Sequence, residues 1–322
     1  MNRVTRSLLV LQLLACGPPL GRMDVDPPRE PSGRRDSPAA GEKSSSAMDR
    51  FRGRIADAQA ALRARELDRA AAILAEADRE APTPRERELA TYYQATLMAY
   101  RGDLERAADV LIAAAIPPDS PLAFSFHNSL IMLRTARRDL LGALIECERM
   151  VDVGQQGIWT GDQDSRTTVL LKKHWHRAYL LRIVAAMSGG SRRDAALRYA
   201  GAARDAFRKL AAPIADQRDA IAVLDAFFAV QDGDGRAALA AARRVNLAAD
   251  EDVEDLYLAQ MALDAGGDRA GAAAVRKQIA QSRDVSLAVP IISGWLESDM
   301  ASARGGPPRW SPRHPTGELP VR

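Results

Sequence analysis

Gly102-Asp103-Leu104-Glu105-Arg106-Ala107 is the stretch whose reading decides the fold. A turn residue opens it, residues of good helix propensity follow, and small residues stand at Ala107 and, seven further on, at Ala114. A small residue one turn into a helix lets that helix lie close against the one before it. The same spacing recurs at Arg65 with Ala70 and Ala77, and at Arg138 with Ala143 and Met150. It returns at Gly190 with Ala195 and Ala202, at Gly233 with Ala238 and Val245, and at Gly267 with Ala272 and Ile279. The turn residues are 37, 36, 52, 43 and 34 positions apart, so the repeating unit is a helix pair and the array is irregular.

Composition supports helices throughout. Hydrophobic residues make up 47% of the 322 and aromatic ones only 5%, so the apolar content is mostly alanine and leucine, and the β-branched runs that strands require are scarce. Pro82 and Pro117 stop the chain between pairs. Helical spacing also appears ahead of the turns, in Tyr92, Tyr93, Leu97 and Tyr100, in Phe124, Leu130, Ile131 and Leu133, and in Trp175, Tyr179, Ile183 and Met187. These sets read first as core stripes. The functional alternative is that Tyr93, Tyr100 and Trp175 line a concave binding face.

The pattern between Met48 and Met300 resembles the tetratricopeptide family over about 250 residues. Its second-helix motif is the specific part. The first helices depart from the family: the close-packing position is Ala95 or Ala226 in two repeats but Ile183 or Gln260 in others. The resemblance implies an all-α fold, an α-solenoid of about six helical hairpins, and a protein or peptide partner held in a groove, with no cofactor, metal or catalytic residue. Val285 to Met300 is expected to form a capping helix over the last pair. Residues 301–322, rich in proline and arginine, are expected to be a disordered tail in which Trp310 is a candidate recognition element.

The other end has a different character. Met1 to Ala15 carries Arg3 and Arg6, then an apolar stretch from Leu8 to Ala15 that is too short to cross a bilayer, as in a secretory signal peptide. Leu13-Leu14-Ala15-Cys16 resembles the bacterial lipobox, which implies a lipid on Cys16 and a membrane anchor. Residues 16–47 mix Pro, Gly, Ser and balanced charge, and are expected to be a disordered tether. The expected location is the cell envelope, on the periplasmic side of the outer membrane.

The net charge of +3 resides in the leader and the tail, which leaves the body near −2, so nucleic-acid binding is not expected. The longest interval contains an insertion, residues 153–165, with Trp159 as a further candidate for partner contact. Asp162, Asp164, His174 and His176 lie in or near it and suggest an alternative, a metal- or ligand-dependent envelope enzyme or binder. Spacing opposes that reading, because residues two apart on a helix face different ways. Cys147, within a predicted helix, reads as a small buried apolar residue.

Overall fold

The structure, a computed structural model, describes residues 38–120, 122–155, 163–247, 252–282, 284–307 and 309–315. These residues form thirteen α-helices and one 3-10 turn, with no strand among them. In chain order the helices are α1 (Pro38–Arg63), α2 (Leu67–Glu80), α3 (Pro84–Tyr100), α4 (Leu104–Ala113), α5 (Ala123–Ala136), α6 (Leu140–Gln155) and α7 (Gln163–Ala186). Then follow α8 (Gly190–Ala211), α9 (Arg218–Gln231), α10 (Gly235–Ala242), α11 (Val253–Ala265), α12 (Arg269–Ala280) and α13 (Ala288–Ala303).

All six turn residues have left-handed backbone: φ is 61° at Arg65, 82° at Gly102, 65° at Arg138, 53° at Gly190, 76° at Gly233 and 82° at Gly267. At five of them the next residue closes one helix and opens another. The backbone N–H of Glu66, Asp103, Asp139, Asp234 and Asp268 reaches the carbonyl five residues back, at 2.8 to 3.0 Å, which ends the first helix. The four aspartates then accept a bond from the N–H three residues ahead, on Arg106, Gly142, Ala237 and Gly271, at 2.9 to 3.0 Å. That caps the second helix.

This device seats the small residues as the spacing requires. Ala70, Ala107, Ala143, Ala238 and Ala272 are fully buried. The fourth pair differs by one position: Ala195 is half-buried, Ala202 is exposed, and Ala196 and Ala203 take the buried places. Gly189, which has no side chain to offer, stands at the cap there, so the helix enters in a shifted register.

The helices form two layers. Those before the turns contact one another, α1 with α3, α5 with α7, α7 with α9 and α9 with α11, and each helix after a turn packs on the helix before it. Burial follows this arrangement. In α2 only Ala70, Leu74 and Ala77 are buried, a single stripe, whereas α11 is buried on every side from Val253 to Leu263.

Two segments differ from expectation. α1 begins at Pro38, inside the stretch read as a tether. The stretch from Ala301 is also not a free tail as far as Pro315: α13 runs to Ala303, and Trp310, Ser311 and Pro312 are buried against the body. Proline and arginine content pointed to disorder, but one tryptophan with good hydrogen-bonding neighbours can offset the ordering cost.

A Cβ at Gly102 meets open space, so Gly102→Ala tests the left-handed backbone alone. It should cost about 1–2 kcal/mol, and Asp103→Ala about 1 kcal/mol through the lost cap. Urea unfolding monitored by far-UV circular dichroism measures both; unchanged midpoints would mean that this turn does not govern the pairing.

Candidate functional site

The inner layer, the helices before the turns, carries Tyr93, Tyr100 and Trp175. α13 lies on it, packed against α11 and α12 and reaching α5 and α3. Tyr93 is buried, 1% exposed, and its hydroxyl accepts a hydrogen bond from the Gln59 amide. Tyr100 is half-buried, with the Arg65 guanidinium over its ring at 4.1 Å. Its hydroxyl donates to the backbone carbonyl of Asp284, just ahead of α13, at 3.3 Å. The chain's own C-terminal segment thus covers the tyrosine face.

Trp175 is likewise in the core, 4% exposed. It stacks on Tyr179 at 5.5 Å, and Tyr179 packs against Phe227 at 4.8 Å. Tyr93 and Trp175 therefore present no free ring to a partner in this structure. Cys16 and Trp159 lie outside the described residues, as does Asp162.

Polar groups gather where α7, α9, α11 and α13 meet. Lys172 on α7 is 3.7 Å from Asp252, the cap of α11. Tyr257 donates to Asp299 at 2.9 Å, and the Ser311 hydroxyl donates to the other oxygen of Asp299 at 2.8 Å. Arg276 donates to Asp264 at 3.0 Å and Arg313 does so at 3.2 Å. Burial, reinforced by the nearby carboxylates, pushes the phenols of Tyr179 and Tyr257 well above their ordinary range.

Glu254 is a strongly perturbed carboxyl group. Burial pushes its carboxyl up to about 8; Lys172 opposes the shift and Asp252 adds to it. One of its carboxyl oxygens is buried without a hydrogen-bond partner, which disfavours the charged form.

Nothing in this set is primed as a nucleophile. Cys147 is fully buried, and desolvation drives its thiol upward, away from the reactive thiolate. His176 is buried with Nε2 2.9 Å from the Asn128 side-chain oxygen, and burial and Lys172 lower its pKa well below the ordinary value. His174 lies elsewhere on the helix surface, half-buried. No group of three or more His, Cys, Asp or Glu residues able to hold a metal ion occurs among the described residues. No helix among them is long and apolar enough to cross a membrane.

Sequence reasoning missed Glu254, Tyr257, Asp264, Asp299 and Ser311. Glu254 and Asp255 stand in the first turn of α11, where acids normally face water and favour the helix dipole. Only Trp310 carried a signal, as an aromatic residue within a polar tail. No family model matches this chain, and neither a curated protein nor a solved structure does.

An ordinary glutamate titrates near 4.5 and Glu254 near 8, so between those values the folded chain keeps a proton that the unfolded chain has released. The stability that this proton represents is full below about pH 4.5, falls as pH rises toward 8 and levels off above it. The steepest slope is about 1.4 kcal/mol per pH unit. Glu254→Gln stays neutral and should lose less stability than the wild type between pH 5 and pH 9 in urea unfolding. Equal losses in both chains would mean that Glu254 does not carry the proton.

Proposed function

We propose that this chain is a lipid-anchored protein of the cell envelope that acts as a scaffold or assembly factor, binding a protein partner along a tetratricopeptide-like solenoid of about six helical hairpins. The observation that carries the reading is the left-handed turn residue at each of the six repeat positions, with the N–H bond to the carbonyl five residues back at five of them and the aspartate cap at four. A unit that pairs helices in one way each time builds a wall of aligned first helices. Such a wall offers a wide, pre-formed surface to an elongated protein segment.

Attachment rests on the leader and on Cys16. Two or more acyl chains, each CH₂ contributing about 0.8 kcal/mol, hold a protein firmly at a bilayer. The intervening residues keep the body near the membrane, on the periplasmic side of the outer membrane. The alternative of a metal-dependent site around residues 153–176 has less in its favour, since His176 is committed to Asn128 in the core.

Cys16→Ser tests the anchor. The variant should move from the membrane pellet to the soluble fraction and lose label from a radioactive fatty acid, and crosslinking in intact envelopes should give the wild-type chain a discrete adduct that the variant forms less. Unchanged fractionation, or no adduct beyond that of an unrelated lipoprotein, would overturn the proposal.

A further inference from the structure

The C-terminal stretch after α13 is held in the manner of a bound peptide. Residues 309–315 form neither helix nor strand, and their only internal backbone bond is the one from His314 N–H to the Ser311 carbonyl, at 3.1 Å. Four consecutive residues make the contacts. The Trp310 ring meets Trp295 edge-on at 6.0 Å, and Trp295 in turn packs against Tyr257 at 5.5 Å. Ser311 donates to Asp299. The Pro312 carbonyl accepts from Gln231 on α9 at 2.9 Å. Arg313 donates to Asp264 and to the Met261 carbonyl, both at 3.2 Å.

Burial marks the same short unit. Trp310, Ser311 and Pro312 are buried, whereas Arg309 before them and His314 after them are exposed. The body reads the segment through side chains and two carbonyls, so the contacts depend on a local sequence and not on chain connectivity. Such a set can be reproduced by the same sequence on another chain.

We propose that the surface made by Gln231, Tyr257, Asp264, Trp295 and Asp299 is a recognition site for a peptide carrying an aromatic residue followed by a hydroxyl residue, proline and arginine. Residues 310–313 occupy it in cis, and a partner protein binds by displacing them. This inference rests on the scaffold reading and names the partner chemistry of its inner wall. Each position has a matched receptor: an aromatic shelf for the ring, a carboxylate for the hydroxyl, an amide for the proline carbonyl, and a second carboxylate for the guanidinium. Tethering gives the cis segment an effective concentration on the order of millimolar, so a free peptide competes poorly with an intact latch.

The test uses the full chain and a labelled peptide of residues 306–317, GPPRWSPRHPTG. Its binding is followed by fluorescence anisotropy to the wild type and to Trp310→Ala/Arg313→Ala, with circular dichroism recorded for both. The opened variant should keep its helical signal and bind the peptide at least tenfold more tightly than the wild type, and replacing arginine by glutamate in the peptide at the position of Arg313 should abolish that gain. A folded variant that binds no better than the wild type, or that binds the glutamate peptide equally well, overturns the proposal. If the double variant loses its helical signal, Arg313→Ala alone decides, since that half-buried side chain gives up only two hydrogen bonds. Failure here leaves the anchoring and crosslinking results standing, so it is separable from failure of the scaffold reading.

Discussion

One backbone device recurs through this molecule: a left-handed residue followed, at four of the six turns, by an aspartate that ends one helix with its N–H and begins the next with its side chain, while Glu66 does only the first. The helix end needs a partner for its orphan carbonyls and the helix start needs one for its orphan amides. Meeting both needs with one residue leaves little slack in the turn. The crossing of each pair is then set before any side chain packs, and an alanine at the crossing point allows close approach. Where the N–H bond to the carbonyl five residues back is absent, before α8, the register differs by one and the buried positions move from Ala195 to Ala196 and from Ala202 to Ala203.

The two layers follow from the same constraint. A helix after a turn needs one apolar stripe, because only one side meets the layer beneath. A helix before a turn is covered from behind by its partner and at its sides by its neighbours, and α11 is also covered by α13. Residues that would face water on a simple hairpin are therefore enclosed. That is how Glu254, Asp255 and Gln260 come to be buried although each sits in a sequence that looks amphipathic.

Legibility followed how local the controlling physics is. The six turn residues and the alanine spacing are short-range features, and the chain displays them openly at Arg65, Gly102, Arg138, Gly190, Gly233 and Gly267. The candidate site was less legible, because it depends on which segment crosses the inner layer. Tyr100 is an example: what its hydroxyl meets is decided by the carbonyl of Asp284, 184 residues further on. Trp310 illustrates the same point. Its proline-rich surroundings argue for disorder, and it is the contact with Trp295, together with the bonds of the next three residues to Asp299, Gln231, Asp264 and Met261, that gives it a place.

The two kinds of interface differ in how readily they can be exchanged. Helix pairs meet through alanine, leucine and other apolar side chains, a contact whose strength scales with area and which no short peptide can replace. The contact between the inner layer and the C-terminal segment is more polar. It is built on Asp299, Asp264, Ser311 and Arg313, and it leaves the buried Trp310 indole N–H without a hydrogen-bond partner. Each unpaired buried group costs about 1–3 kcal/mol. The closed arrangement is accordingly less stable than its buried area implies. A competing segment has only to supply one aromatic ring and a few directed hydrogen bonds, whereas opening any helix pair demands the loss of the apolar core itself.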